Sequence, residues 1–203
     1  MPPEPAVRAA HRPSRRAQIV EAAISVFGAE GPAVPIALVA RAAMVTPAAI
    51  YYHFPSKEAL FTEAVALVAE RHLALTRGAE DRDPAAFSMA GAVELVWKWA
   101  EDNPEPARLL YVWSGEGPDS ARGVRAEFVR DYIHRVIRRI ERGPVAVDDV
   151  RHAEDELAAR AYLQLAMSVS EEWASGRYRY GGLDRGHIVH ALASVSQALT
   201  TIE

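Results

Sequence analysis

The stretch Thr46-Pro47-Ala48-Ala49-Ile50-Tyr51-Tyr52-His53-Phe54-Pro55-Ser56-Lys57-Glu58-Ala59-Leu60-Phe61 decides how this chain is read. Thr46 is a strong helix N-cap, and Pro47 suits the first turn, where its missing N–H costs nothing. Val45 before the cap and Ile50 four residues past it have hydrophobic-staple spacing. At about 100° per residue, Ile50 and Phe54 share one face, while Ala48, Ala49 and Tyr52 point away. Tyr51 and His53 lie on the flanks. Pro55 ends the helix and Ser56 caps the next, where Lys57 sits in the first turn. A short helix with small residues at its tip and hydroxyl or imidazole groups on its flanks suits the major groove of double-stranded DNA. The tip approaches base edges, and the flanks reach phosphates. Each aromatic of the run also reads, taken singly, as a half-buried helix residue.

Upstream, Ser14 caps a first helix whose Ile19, Ala22, Ala23, Val26 and Phe27 form one amphipathic stripe ended by Gly31-Pro32. A second, short helix spans Pro35 to Ala43 with Ile36, Val39, Ala40 and Ala43 on one face, and Met44-Val45 links it tightly to Thr46. Three helices with a tight turn before the last make a helix-turn-helix unit over residues 14–61. The proline-rich residues 1–13, with Arg8 and Arg12, read as a flexible basic arm.

These residues resemble a family. Phe27 to Gly31, Val39-Ala40-Arg41-Ala42-Ala43 and the run Ile50 to Phe61 are similar to the N-terminal domain of TetR-type transcriptional repressors. The resemblance covers roughly residues 14–61. It implies base or phosphate contacts at Thr46, Pro47, Ala48, Tyr51, Tyr52, His53 and Lys57, and more loosely at Arg16 and Arg41. It also implies that the rest of the chain binds a small effector and forms a homodimer through its last two helices. Three departures stand out. Met44 replaces the usual glycine, at a cost of about 1 kcal/mol if that residue is left-handed. Pro35 replaces a Ser/Thr cap after a link one residue short. Pro47 and Ala48 replace polar or glycine residues at the tip, so thymine methyls and DNA shape should carry more of the specificity.

Beyond residue 61 the pattern stays helical. Helices are expected from Ser56 to about Arg77, Asp83-Pro84 to Asp102, Asn103-Pro104 to Trp113, Asp119 to Arg142, Asp148 or Asp149 to Ser175, and from Asp184 onward. The fold class is therefore all-α: a three-helix DNA-binding unit followed by a larger helical part, residues 62–203, for ligand binding and dimerisation, about nine helices in all. Trp97, Tyr111, Trp113, Phe128, Tyr132, Tyr162 and Trp173 are candidate walls of a mostly apolar effector pocket, each also readable as plain core. Trp97 and Trp99 lie about 200° apart on a helix, so one should face a second surface. Gln164, His134 and Ser168 are candidate buried polar groups. On the last helix Ile188, Ala191, Leu192, Val195 and Leu199 form a flat stripe, suited, with Tyr162, to packing inside the chain and against a second copy.

Charge and composition narrow the function classes. Residues 1–61 hold six basic and four acidic side chains and residues 62–203 hold 17 and 23, so the positive charge gathers on the helix-turn-helix side. The chain has no cysteine, which excludes thiolate metal sites and cysteine nucleophiles. With no long apolar run and no signal-like start, no membrane partner and a cytoplasmic place are expected. His187 and His190, or His152 and Asp155, are spaced as metal pairs without an evident third ligand, so neither metal nor cofactor is expected. There is no glycine-rich phosphate loop, nucleophile elbow or His-Glu-x-x-His helix, and the adjacent Glu171 and Glu172 face different ways, so an enzyme is not expected. The expected function is a repressor released from a pseudo-palindromic operator by a small apolar effector. The rival readings are an architectural or cell-division DNA-binding protein without effector and a helical scaffold.

Overall fold

Ser14 opens the first helix as expected: its Oγ accepts from the Ala17 N–H at 3.2 Å, and α1 runs over Arg15–Glu30. Gly31, at φ 84, closes it with its N–H on the Phe27 carbonyl. The computed structural model describes residues 14–82, 89–140, 149–176 and 182–200, and nine helices account for the regular structure among them. After α1 come α2 (Ile36–Ala42), α3 (Pro47–His53), α4 (Lys57–Arg82) and α5 (Met89–Asp102). The sixth helix, α6, is continuous but uneven: an α-helical piece Pro104–Arg108, a wide π turn Leu109–Trp113 and a last turn Ser114–Glu116. Then follow α7 (Asp119–Ile140), α8 (Asp149–Ser175) and α9 (Arg185–Thr200). The expected arm at 1–13, the helix start at Asp83-Pro84, the helix end at Arg142 and the stretch 177–181 lie outside the described residues, as do the side chains of His152, Asp155 and Leu199.

Two expectations are corrected. Helix α4 runs five residues past Arg77, because Gly78 does not break it; Arg82 Nε donates back to the Gly78 carbonyl at 3.0 Å. The segment after Trp113 is helical as far as Glu116 rather than a loop. There the Ser114 N–H reaches the Leu109 carbonyl five residues back, and Ser114 Oγ caps the Leu110 carbonyl at 2.5 Å. Apolar periodicity does not distinguish a single π turn from the α-helix around it.

The main core joins α1, α2, α3, α4, α6, α7 and α8, with Phe27, Ile50, Phe54, Leu60, Phe61, Leu109 and Leu110 almost wholly buried in it. Phe27 and Phe61 meet edge to face at 5.1 Å, and burying a side chain of that size contributes about 1.5–3 kcal/mol. A smaller cluster joins Val93 and Trp97 of α5, Tyr162 of α8, and Ile188 and Leu192 of α9. Helix α4 crosses the expected division between residues 61 and 62 without interruption.

The joint between α1 and α6 is tight. A Cβ on Gly28 would come within 2.2 Å of the Glu105 carbonyl oxygen, so the two backbones touch where only glycine fits. The Gly28 carbonyl accepts from both Arg108 Nε and Trp113 Nε1 at 3.1 Å. A Cβ on Gly31 would lie 3.3 Å from the Trp113 ring.

Candidate functional site

The short α3 is held by its ends. Thr46 Oγ1 accepts from the Ala49 N–H at 3.2 Å, Ile50 is fully buried, and Phe54, which ends the helix in extended conformation, is buried beside it. The preceding turn is a Schellman closure: the Val45 N–H bonds the Ala40 carbonyl at 2.9 Å and the Met44 N–H the Arg41 carbonyl at 3.1 Å. That geometry puts Met44 at φ 53, the left-handed region glycine favours. Its side chain stands 87% exposed. Val45 then packs on the core and fixes the entry of α3.

With those anchors set, one side of α3 is left to solvent. Thr46, Pro47 and Ala48 are exposed, Tyr52 is 86% and Tyr51 49% accessible, and His53 is half-buried with its ring edge-on to Tyr52 at 5.1 Å. Arg41 of α2 is exposed beside them. Two of the expected cations are engaged within the chain. Arg16 pairs with Glu63 and lies 4.7 Å above the Phe54 ring. The Lys57 ammonium donates to the Val34 carbonyl at 3.3 Å, tying the start of α4 to the link before α2. A lysine in a first turn thus has a structural partner within the chain.

The second candidate site is a narrow cavity of about 40 Å³ in the larger part of the chain. Of the seven aromatics expected there, Trp97, Tyr111, Phe128, Tyr132 and Tyr162 line it. Trp113 does not: it faces α1, with its indole on the Gly28 carbonyl. Trp173 meets Trp97 with tilted rings at 5.5 Å and borders an outer cleft instead. Trp97 and Trp99 do face different ways. Trp97 is buried on the cavity, and Trp99 packs edge-on against His72 at 5.0 Å. Gln164, His134 and Ser168, expected as buried polar groups, are exposed; α7 and α8 turn those positions outward.

The polar group at the cavity is one that sequence reasoning passed over. His72 of α4 is 1% exposed, enclosed by the rings of Trp99, Tyr111, Phe128 and Tyr132. Its Nε2 shares a 2.7 Å hydrogen bond with the Tyr111 hydroxyl. Burial pushes its pKa down to about 3, with the nearby Arg135 charge helping, so the imidazole is neutral. Burial likewise raises Tyr132 to about 12 and lifts Tyr111 and Tyr162 above the usual phenol range. The signal was present: Val65, Val68, Ala69, His72, Leu73 and Thr76 fall at helical spacing along the buried stripe of α4.

Ile188 and Leu192, expected partly at a surface between copies, are buried inside the chain against Val93, Trp97 and Tyr162. Ala191 and Val195, on the adjacent face of α9, are exposed, and so are Leu157 and Leu165 of α8. Among the described residues no group of three or more His, Asp or Glu is placed to hold a metal ion. No described helix is long and apolar enough to cross a membrane.

Comparison with known proteins agrees with this geometry. The family model for bacterial regulatory proteins of the tetR family matches residues 19–64. The nucleoid occlusion factor SlmA of Marinomonas sp. (strain MWYL1) is 28% identical over 130 residues, 63% of this chain; the chain spans just under two thirds (66%) of that relative. A TetR-like transcriptional regulator from Rhodococcus sp. RHA1 superposes with a TM-score of 0.68 at 19% identity, over 95% of this chain and 96% of its own. The multidrug binding protein EbrR, solved with imidazole, gives 0.65 at 20% identity, over 95% of this chain and 98% of its own. Over residues 19–64 the chain therefore carries the N-terminal domain of the tetR family of bacterial regulatory proteins, set within the fold of TetR-type regulators.

Proposed function

We propose that the protein is a homodimeric transcriptional repressor. In this reading residues 14–61 form the DNA-reading head, which places α3 in the major groove of each half-site of a pseudo-palindromic operator, and residues 62–203 form the part that dimerises and answers to a small apolar effector. The observation that carries it is the two-sidedness of α3: Ile50 and Phe54 anchor it, while Thr46, Pro47, Ala48, Tyr51 and Tyr52 stand clear of the protein. Tyr51, Tyr52 and His53 grip the backbone, and Pro47-Ala48 approaches base edges. Arg16 joins only if its exposed pair with Glu63 opens, which costs little for a surface ion pair. Arg41 and Lys57 hold flanking phosphates. A second copy packs on the outer faces of α8 and α9 at Leu157, Leu165, Ala191 and Val195. The cavity at His72 takes the effector and shifts the spacing of the two reading helices by favouring one of two existing arrangements.

Selection of bound sequences from random duplex DNA tests the reading. A two-fold motif with half-sites about one helical turn apart is the expected result, and an asymmetric or absent motif overturns it. Tyr51→Ala should weaken binding to every selected sequence alike; a change in preference at a single base position would show that Tyr51 reads bases instead. The similarity to a nucleoid occlusion factor favours a second reading, a cell-division DNA-binding protein without effector control. Release of DNA by a small molecule separates the two.

A further inference from the structure

We infer, building on the effector reading of the His72 cavity, that its ligand is an uncharged, single-ring aromatic molecule carrying a carbonyl-type oxygen that accepts hydrogen bonds from Trp97 and Tyr162. Three buried polar atoms among the cavity-lining residues have no hydrogen-bond partner among the described residues: Trp97 Nε1, the Tyr162 hydroxyl and His72 Nδ1. An indole N–H can only donate, and a phenol hydroxyl donates readily, so the unmet need at two of the three is for an acceptor. Buried polar groups are almost always satisfied in native proteins. Their clustering around one cavity therefore marks the place of an occupant that brings the missing oxygen.

The walls set the rest of the ligand. Trp97, Tyr111, Phe128, Tyr132 and Tyr162 supply ring faces and edges, and Met167 supplies a pliable thioether. Among the described residues no Lys, Arg, Asp or Glu lines the cavity. Arg135, whose charge acts on His72, donates instead to the Thr76 hydroxyl at 3.0 Å and the Leu73 carbonyl at 3.3 Å. A carboxylate or an ammonium would enter without a counter-charge, and desolvation excludes both. At about 40 Å³ the cavity is smaller than the roughly 150 Å³ that receives a benzene ring. A single ring is the aromatic ligand that requires least opening.

Calorimetric titration of the full-length protein with acetophenone, ethylbenzene, benzoate and benzylammonium tests this. Acetophenone should bind about tenfold or more tightly than the other three. Tyr162→Phe and Trp97→Phe should each weaken acetophenone by about three- to tenfold, the range of one neutral hydrogen bond, while changing ethylbenzene less than about twofold. Tyr162→Phe removes one oxygen and keeps the ring, so it remains decisive if Trp97→Phe reshapes the cavity. Equal or tighter binding of ethylbenzene or a charged probe, equal loss of acetophenone and ethylbenzene in Tyr162→Phe, or no binding by any of the four overturns the assignment. The same probes added to a complex with selected DNA separate this from the effector reading. The expected selectivity without DNA release overturns effector control and supports the ligand class; DNA release with the wrong selectivity overturns the ligand class alone.

Discussion

The aromatic core under α3 and the aromatic cavity under α5 are built from similar residues, yet they differ in one respect. Around Phe27, Ile50, Phe54 and Phe61 the packing is closed and the neighbouring helix ends are capped, by Thr46 Oγ1, Ser56 Oγ and the Gly31 N–H. Around His72 the packing is just as aromatic, but Trp97, Tyr162 and His72 each bury a polar atom without a partner. The first region is finished by its own chain. The second leaves three buried polar atoms unmet among the described residues. A close-packed head and a cavity with unmet polar atoms are the two halves that the proposed ligand-controlled DNA binder would need.

The largest effect that tests this contrast is on the closed side. Phe27→Ala should cost about 3–5 kcal/mol, read as a lower urea midpoint, because Phe27 is fully buried against Phe61. A loss under about 1 kcal/mol would show that the head is not the close-packed half. The pH dependence comes next. His72 has a folded pKa of about 3 against an ordinary value near 6.5. Below pH 6.5 the unfolded chain therefore binds a proton that the folded chain refuses. Stability is full above pH 6.5 and falls by about 1.4 kcal/mol per pH unit toward pH 3. Urea unfolding at pH 4 to 7 should show His72→Gln losing correspondingly less than the parent. Parallel curves would mean that the imidazole is charged or hydrated in the fold.

Smaller changes sharpen the comparison. Tyr162→Phe removes an unpaired hydroxyl, so it should leave stability within about 1 kcal/mol or raise it. A marked loss would reveal a partner for the hydroxyl and place the Tyr162 corner with the finished half. Met44→Gly should gain up to about 1 kcal/mol, because φ 53 strains any side chain there. With Met44 87% exposed, no packing is lost with it. A destabilisation seen by thermal melting would mean that the turn is stiffened usefully by methionine.

The two halves were not equally legible in the sequence. The head could be read closely because its boundaries are set by single residues with local chemistry: Ser14, Gly31, Thr46, Pro47 and Ser56 cap, stop or start a helix through bonds to their immediate neighbours. Five walls of the cavity were named from aromatic content, but Trp113 and Trp173 were misplaced among them, since ring content does not reveal which way a helix turns. Trp113 faces α1 because Leu109–Trp113 is a π turn, which the periodicity of the residues does not show. His72 was overlooked because a histidine amid alanines and leucines attracts no motif, although it lies on the apolar stripe of its helix. Met44 was the opposite case: its strain was legible as a question, and its dihedral answered it.

The wide turn of α6 also has a meaning in the currency of insertions and deletions. Leu109–Trp113 accommodates one residue more than an ordinary helical turn. Removing that residue would relax the backbone into a regular helix, a local improvement. It would also carry everything beyond it round by about 100° and back by about 1.5 Å. The Trp113 indole would leave the Gly28 carbonyl, and Arg125 would lose the Tyr111 carbonyl that it holds at 3.0 Å. A change of length by one residue disturbs both bonds, so the length of this helix is constrained as well as the residues that fill it.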